Sequence, residues 1–168
     1  MKRNTLDRSV KAASYDNIKV VGINSILIDF KLAWNINNRL GIDLVRFDDI
    51  ATNGTTFSFY FYSDRSGANT FNLVSLVNDK KVWLKTSPHI DYLLIVRNEI
   101  QEVHLKDLIS EISKIREVGY AFLFDLKSNR DIHLVLETIE YHEAALLKRL
   151  SDQNKLKFVR EQMRKNPD

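Results

Sequence analysis

Residues 17–49, NIKVVGINSILIDFKLAWNINNRLGIDLVRFDD, constrain the fold more than any other stretch of this chain. Ile18 to Ile23 is apolar and β-branched, the composition of a strand. Ser25 can offer its hydroxyl to an unpaired amide of a first helical turn. Ile26, Phe30, Ala33 and Trp34 then fall on one stripe, with Leu27 and Leu40 near its edges. That periodicity predicts an amphipathic helix over 26–40 with this stripe turned inward. Gly41 supplies the left-handed residue that ends a helix. Leu44–Phe47 reads as a short second strand. The segment specifies elements clearly and carries no catalytic group.

Strand signals dominate the next fifty residues. Asn53-Gly54 marks a tight turn. After it, Thr55–Tyr62 alternates Phe57, Phe59 and Phe61 on one face with Ser58, Tyr60 and Tyr62 on the other. Phe71–Leu76 and Lys81–Leu84 follow, with a turn at Asn78-Asp79, and Pro88 interrupts any ladder. Ile90–Val96 is nearly all apolar, as in a central strand covered on both faces. Val103–Val118 repeats Val103, Leu108, Ile112 and Ile115 at helical spacing, with Gly119 as its stop. Tyr120–Leu126 is a last strand. Asp131–Leu150 is a helix with Ile132, Leu136, Ile139, Leu146 and Leu147 inside. Leu156, Val159 and Met163 suggest that it resumes after a break near Asp152–Asn154.

The predicted order is β-α-β-β-β-β-α-β-α. Adjacent strands joined by turns imply hairpins, so the fold class is α+β, a largely antiparallel mixed sheet with helices packed on it. Trp34 and Phe30 are expected to join Ile90–Val96 in the core. One domain is expected over 17–150, between a polar N-terminal tail (1–16) and a basic helical extension (151–168).

Charge is unevenly placed along the 168 residues. Residues 1–11 set four Lys/Arg against one Asp, and residues 148–168 set seven against three acids, while the intervening body is net −4. Basic ends of this kind can touch nucleic acid or an acidic surface. The chain contains no cysteine, which excludes a disulfide scaffold, a thiolate metal site and a thiol nucleophile. It shows no signal-peptide h-region and no apolar run long enough for a membrane span, so a soluble cytoplasmic protein without a membrane partner is expected.

The stretches GINSILIDFKLAWNINNRLGIDLVRFDDI, FSFYFY and LKTSPHIDYLLIV together resemble the IPExxxVDY proteins of Bacteroidota over about Val20 to Leu147. Ile90-Asp91-Tyr92 matches the VDY part of the motif. Leu84-Lys85-Thr86 stands where the family has Ile-Pro-Glu, so a role for that Glu does not carry over. The resemblance implies no established activity. A ribonuclease gene found near such genes points towards RNA.

Four constellations could carry chemistry or binding. His133, Glu137, Glu140 and Tyr141 share part of one helix, but the His pair or Glu-x-x-His spacing of a helical metal site is absent, and His142 lies off that face. A solvated polar face is expected. Asp91 interrupts the apolar run. It must be paired, hydrogen-bonded or exposed, and it reads as a strand-start acceptor for amides of the Ser87–His89 turn rather than a general base. Ser87, His89 and Asp91 alternate on one face without the nucleophile elbow of a hydrolase. The Phe57–Tyr62 aromatics could stack bases, yet Arg65 is the nearest basic residue, so core packing is the expectation. No catalytic, cofactor or metal residue is therefore assigned. The expected role is a non-enzymatic binding or accessory protein with a protein partner or a second copy of itself. The alternatives are an RNA-associated protein using its basic ends and a small-molecule enzyme centred on Asp91, whose ligand the residues do not name.

Overall fold

The computed structural model describes residues 17–65, 67, 69–97 and 102–165. The expected tail over 1–16 lies outside these residues, as do the side chains of Val103, Val159 and Met163. The packing divides into two compact units, Met1–Leu126 and Lys127–Asp168.

The first unit is built on a six-stranded sheet. Its strands are β1 (Ile18–Ser25), β2 (Val45–Arg46), β5 (Phe59–Ser63), β6 (Thr70–Ser75), β9 (Tyr92–Arg97) and β10 (Val118–Leu123). They lie in the order β10-β1-β9-β6-β5-β2, and every neighbouring pair is antiparallel. Two small hairpins sit outside this sheet: β3 (Ile50–Thr52) with β4 (Thr55–Phe57), and β7 (Val77–Asn78) with β8 (Lys81–Val82). The α+β class predicted from the residue pattern is observed.

The apolar run ends up where its composition requires. Strand β9 is flanked on both sides, and Leu93, Leu94, Ile95 and Val96 are fully buried. Helices α1 (Asp29–Leu40) and α2 (Glu102–Ser113) cover one face of the sheet. Leu32, Ala33 and Ile36 of α1 and Leu105, Leu108 and Ile112 of α2 pack there with Val21, Ile23, Tyr60, Leu73, Leu94 and Val96. Asn37 fastens the exit of α1. Its Oδ1 accepts from the Leu44 amide at 2.8 Å and its Nδ2 donates to the Leu44 carbonyl at 3.2 Å.

Several expectations need correction. Helix α1 begins three residues later than predicted, after Ile28, which provides no side-chain cap. Ser25 ends β1 instead: its hydroxyl accepts from the Leu27 amide and donates to the Glu117 carbonyl, which closes the connection before the helix can start. The inward stripe is consequently Leu32, Ala33 and Ile36, whereas Ile26, Phe30 and Trp34 face outward. The predicted core contact of Trp34 and Phe30 with the central strand is wrong. The Thr55–Tyr62 strand is split at Ser58, and β3 was not foreseen. Gly119 lies within β10 rather than ending a helix. A Cβ there would stand 2.6 Å from Asn24 Oδ1, so any larger residue would have to displace the Asn24 side chain of the neighbouring strand.

Asn53 and Gly54 both have positive φ, the requirement of the tight turn read from that dipeptide. Gly41 caps α1 at φ 65°, also as expected.

The second unit contains α3 (Asp131–Lys165), a single helix of 35 residues. The break expected near Asp152–Asn154 is absent, because no proline or glycine interrupts those residues. Ile132, Leu136, Ile139 and Leu146 are buried as predicted, together with Val135, while Leu147 is exposed. Residues 151–157 are exposed throughout. No helix among the described residues is long and apolar enough to cross a membrane.

Candidate functional site

Asp91 lies where β9 begins beside the end of β1. Its Oδ2 accepts from the Ser25 amide at 2.9 Å and from Asn24 Nδ2 at 3.1 Å, and its Oδ1 meets His89 Nε2 at 2.9 Å. The carboxylate is hydrogen-bonded, as expected, although its backbone donor comes from β1 and not from the Ser87–His89 turn. It ties two strand ends together. Ser87 is exposed and makes no hydrogen bond to His89 among the described residues, so no nucleophilic triad forms.

The polar residues of α3 also fail to converge as ligands. Tyr141 is exposed, and His133, Glu137, Glu140 and His142 are part-exposed. No group of three or more His, Asp or Glu able to hold a metal ion is found among the described residues. The aromatic strand is mostly core: Phe57, Phe59, Tyr60 and Phe61 are buried and only Tyr62 is part-exposed, so it offers no row of rings on which bases could stack.

Two other features stand out in the first unit. The first is the outer face of α1 and its lead-in. Ile26, Phe30 and Trp34, four residues apart, are 89%, 55% and 66% exposed. Asn35 and Asn38 fold back onto the carbonyls of Lys31 and Trp34, so the polar neighbours hug the helix and the aromatic rings stand proud of it.

The second is a cleft of about 240 Å³ at the N-terminal end of the same helix. Its floor is a row of hydroxyl residues across three adjacent strands. Ser58 and Ser75 are bonded twice, once through a side chain and once through the backbone: the Ser58 amide donates to Ser75 Oγ at 2.8 Å and the Ser75 amide to the Ser58 carbonyl at 3.1 Å. Ser75 is in turn the register partner of Tyr92, whose hydroxyl donates to the Leu27 carbonyl at 2.6 Å. The rim is charged. Arg46 bridges Asp29 at 3.0 Å and Asp49 at 2.9 Å, and Asp79 closes the far side from the turn between β7 and β8. The hydrogen bond that Arg46 donates to the Asp49 carboxylate holds the guanidinium above its ordinary pKa.

Tyr60 lies beneath the Arg46 guanidinium, 6.0 Å from ring centroid to Cζ. Its phenol is pushed up to about 12, first by burial and then by the Asp29 carboxylate. Burial raises Tyr92 as well, with Asp29 and Asp91 adding to it. Both rings stay neutral at physiological pH; the Tyr92 hydroxyl donates to Leu27, whereas the buried Tyr60 hydroxyl has no partner among the described residues.

None of the cleft residues was singled out from the sequence. The available signal was small polar residues inside strands that otherwise bury their side chains: Ser58 between Phe57 and Phe59, and Ser75 between Val74 and Leu76. Asp29, Arg46, Asp49 and Asp79 reach the cleft from separate loops and element ends, so no local spacing marks them. Comparison of the chain with protein-family models, curated proteins and solved structures finds no match.

Proposed function

We propose that this chain is a non-enzymatic binding protein that docks a protein partner on the outer face of α1. The observation carrying this reading is the exposed row Ile26, Phe30 and Trp34. Isolated exposed apolar residues are ordinary, but two exposed aromatic rings one helical turn apart, Phe30 and Trp34, with exposed Ile26 in the lead-in, are the mark of an interaction surface. Tryptophan is also among the residues most often found at the energetic centre of interfaces. Lys31 lies exposed between Phe30 and Trp34, so the fitting partner offers an apolar groove with an acidic rim. The resemblance to IPExxxVDY proteins belongs to the same proposal, since that family brings no activity of its own to set against a binding role.

The RNA-associated reading keeps one specific observation: Lys155, Lys157, Arg160 and Arg164 are exposed on the last turns of α3. The reading of an enzyme centred on Asp91 has less behind it: that carboxylate accepts from Asn24 and Ser25 of β1, meets His89, and does not line the cleft.

The test is affinity capture with the full chain and with a Phe30→Ser, Trp34→Ser variant, each with and without nuclease. A protein retained by the parent, unaffected by nuclease and lost with the variant supports docking on α1. Identical captures by both chains would remove the α1 face from the interaction. Loss of every captured protein on nuclease treatment would favour the RNA reading.

A further inference from the structure

The cleft at the start of α1 has a sign, a size and an unused hydrogen-bonding group, and together they define a ligand. Its lining holds Asp29, Asp49 and Asp79 against Arg46 alone, a net surplus of two negative charges. Arg46 already engages Asp29 and Asp49. Asp79 has neither an ion pair nor a hydrogen bond among the described residues. The N-terminal end of a helix ordinarily favours an anion. Here the Asp29 carboxylate takes that position, accepting from the Phe30 amide at 2.9 Å, so an incoming anion would meet carboxylates rather than free amides.

Ser58 supplies the independent observation. The residue is 8% exposed, its Oγ is buried, and that oxygen has no hydrogen-bond partner. Ser58 lines the cleft together with Thr56 and Ser75, at the break between β4 and β5. A buried hydroxyl left without a partner is costly, and a ligand group or a water that bonds to it relieves that cost.

We propose that this cleft binds a small organic ammonium ion that also carries a hydroxyl group, an amino alcohol. The ammonium sits against Asp79 and the surplus charge of the Asp29–Arg46–Asp49 cluster, and the hydroxyl completes the hydrogen bonding of Ser58. Ile28 and Val77 supply an apolar wall for the intervening methylenes. A bare divalent cation fits poorly, since no group of acids in the described residues converges to hold a metal. At about 240 Å³ the cleft falls below the range of drug-sized pockets, which limits the ligand to a few heavy atoms.

The experiment is an amide-resolved NMR titration of the full chain with ethanolamine as the probe. Ethylamine, which lacks the hydroxyl, glycerol, which lacks the ammonium, and acetate, an anion that lacks both, serve as comparators. Ethanolamine is expected to give saturable shifts at Ser58, Ser75 and Asp79, while glycerol and acetate give none. Ethylamine should bind about five- to tenfold more weakly, the factor appropriate to one lost hydrogen bond. Ser58→Ala should weaken ethanolamine by the same factor and leave ethylamine unchanged. Asp79→Asn should weaken both amines about tenfold. This variant keeps the turn, because asparagine tolerates the positive φ of 52° that Asp79 adopts. Absence of saturable shifts, an equal response to acetate, or indifference of ethanolamine binding to Ser58→Ala would each overturn the assignment. The Phe30→Ser, Trp34→Ser variant used to test docking leaves the cleft lining intact, so the two proposals fail separately.

Discussion

Trp34 shows how little a residue's identity says about its place until its neighbours are known. It is 66% exposed, while Leu94, on the central strand, is fully buried. Truncation should separate them clearly. Leu94→Ala is expected to cost about 2–5 kcal/mol, the cost of a buried cavity, and Trp34→Ala about 0.5 kcal/mol or less, as for an exposed site. Urea unfolding of the two variants measures this, and a large loss for Trp34→Ala would put the ring back in the core. Tyr60 makes a second prediction, in pH. An unfolded tyrosine ionises near 10, and in the fold Tyr60 holds its proton up to about 12. Between those values the unfolded state gives up a proton that the folded state keeps. The stability due to this group is therefore complete below pH 10 and is lost as pH rises through 12, with Tyr92 acting in the same direction. Unfolding midpoints measured from about pH 9 to about pH 11 should fall, and fall less steeply in Tyr60→Phe. An equal slope in the two proteins would show that Tyr60 is not the group responsible.

At the scale of elements, legibility followed the number of consistent local signals. The central strand was readable because six of the seven positions in Ile90–Val96 have the composition that burial on both faces demands. The Asn53-Gly54 turn and the Gly41 cap were readable because each requires a positive φ that few residues adopt cheaply. Failures came where a tertiary contact overrode a local rule. Ser25 has cap chemistry but uses it on a turn fixed by the Glu117 carbonyl, 92 residues away, and that displaced the start and inward face of α1. Gly119 looked like a helix stop because its real constraint, the Asn24 side chain on the neighbouring strand, is remote in sequence. The same contact yields a double-mutant prediction. Gly119→Ala should force the Asn24 amide off Asp91 and cost about 1–3 kcal/mol, as overpacking does. In an Asn24→Ala background the clash disappears, and the same substitution should cost well under half as much. Equal costs in the two backgrounds would place the strain elsewhere in β10.

For the whole molecule, the candidate cleft was illegible because it is assembled from an element end, a strand row and two loops that share no spacing. The charge distribution, by contrast, was plain from the sequence, and it frames the RNA question. The body is net −4 and residues 148–168 are net +4. The aromatic strand that could have stacked bases is mostly buried. With that strand buried, the RNA reading rests on phosphate contacts at basic segments, the described part of which is the end of α3. Such contacts release counterions, so binding measured by fluorescence anisotropy should fall steeply between low and physiological salt and show no preference among base sequences. Reversing Lys155, Lys157, Arg160 and Arg164 to Glu should reduce the low-salt affinity more than tenfold and flatten the salt slope. These side chains are exposed, so the substituted chain should melt close to the parent and any lost binding can be read as lost contact. Sequence-selective binding that survives both physiological salt and these substitutions would require a base-reading surface on the body and would displace α3 as the candidate.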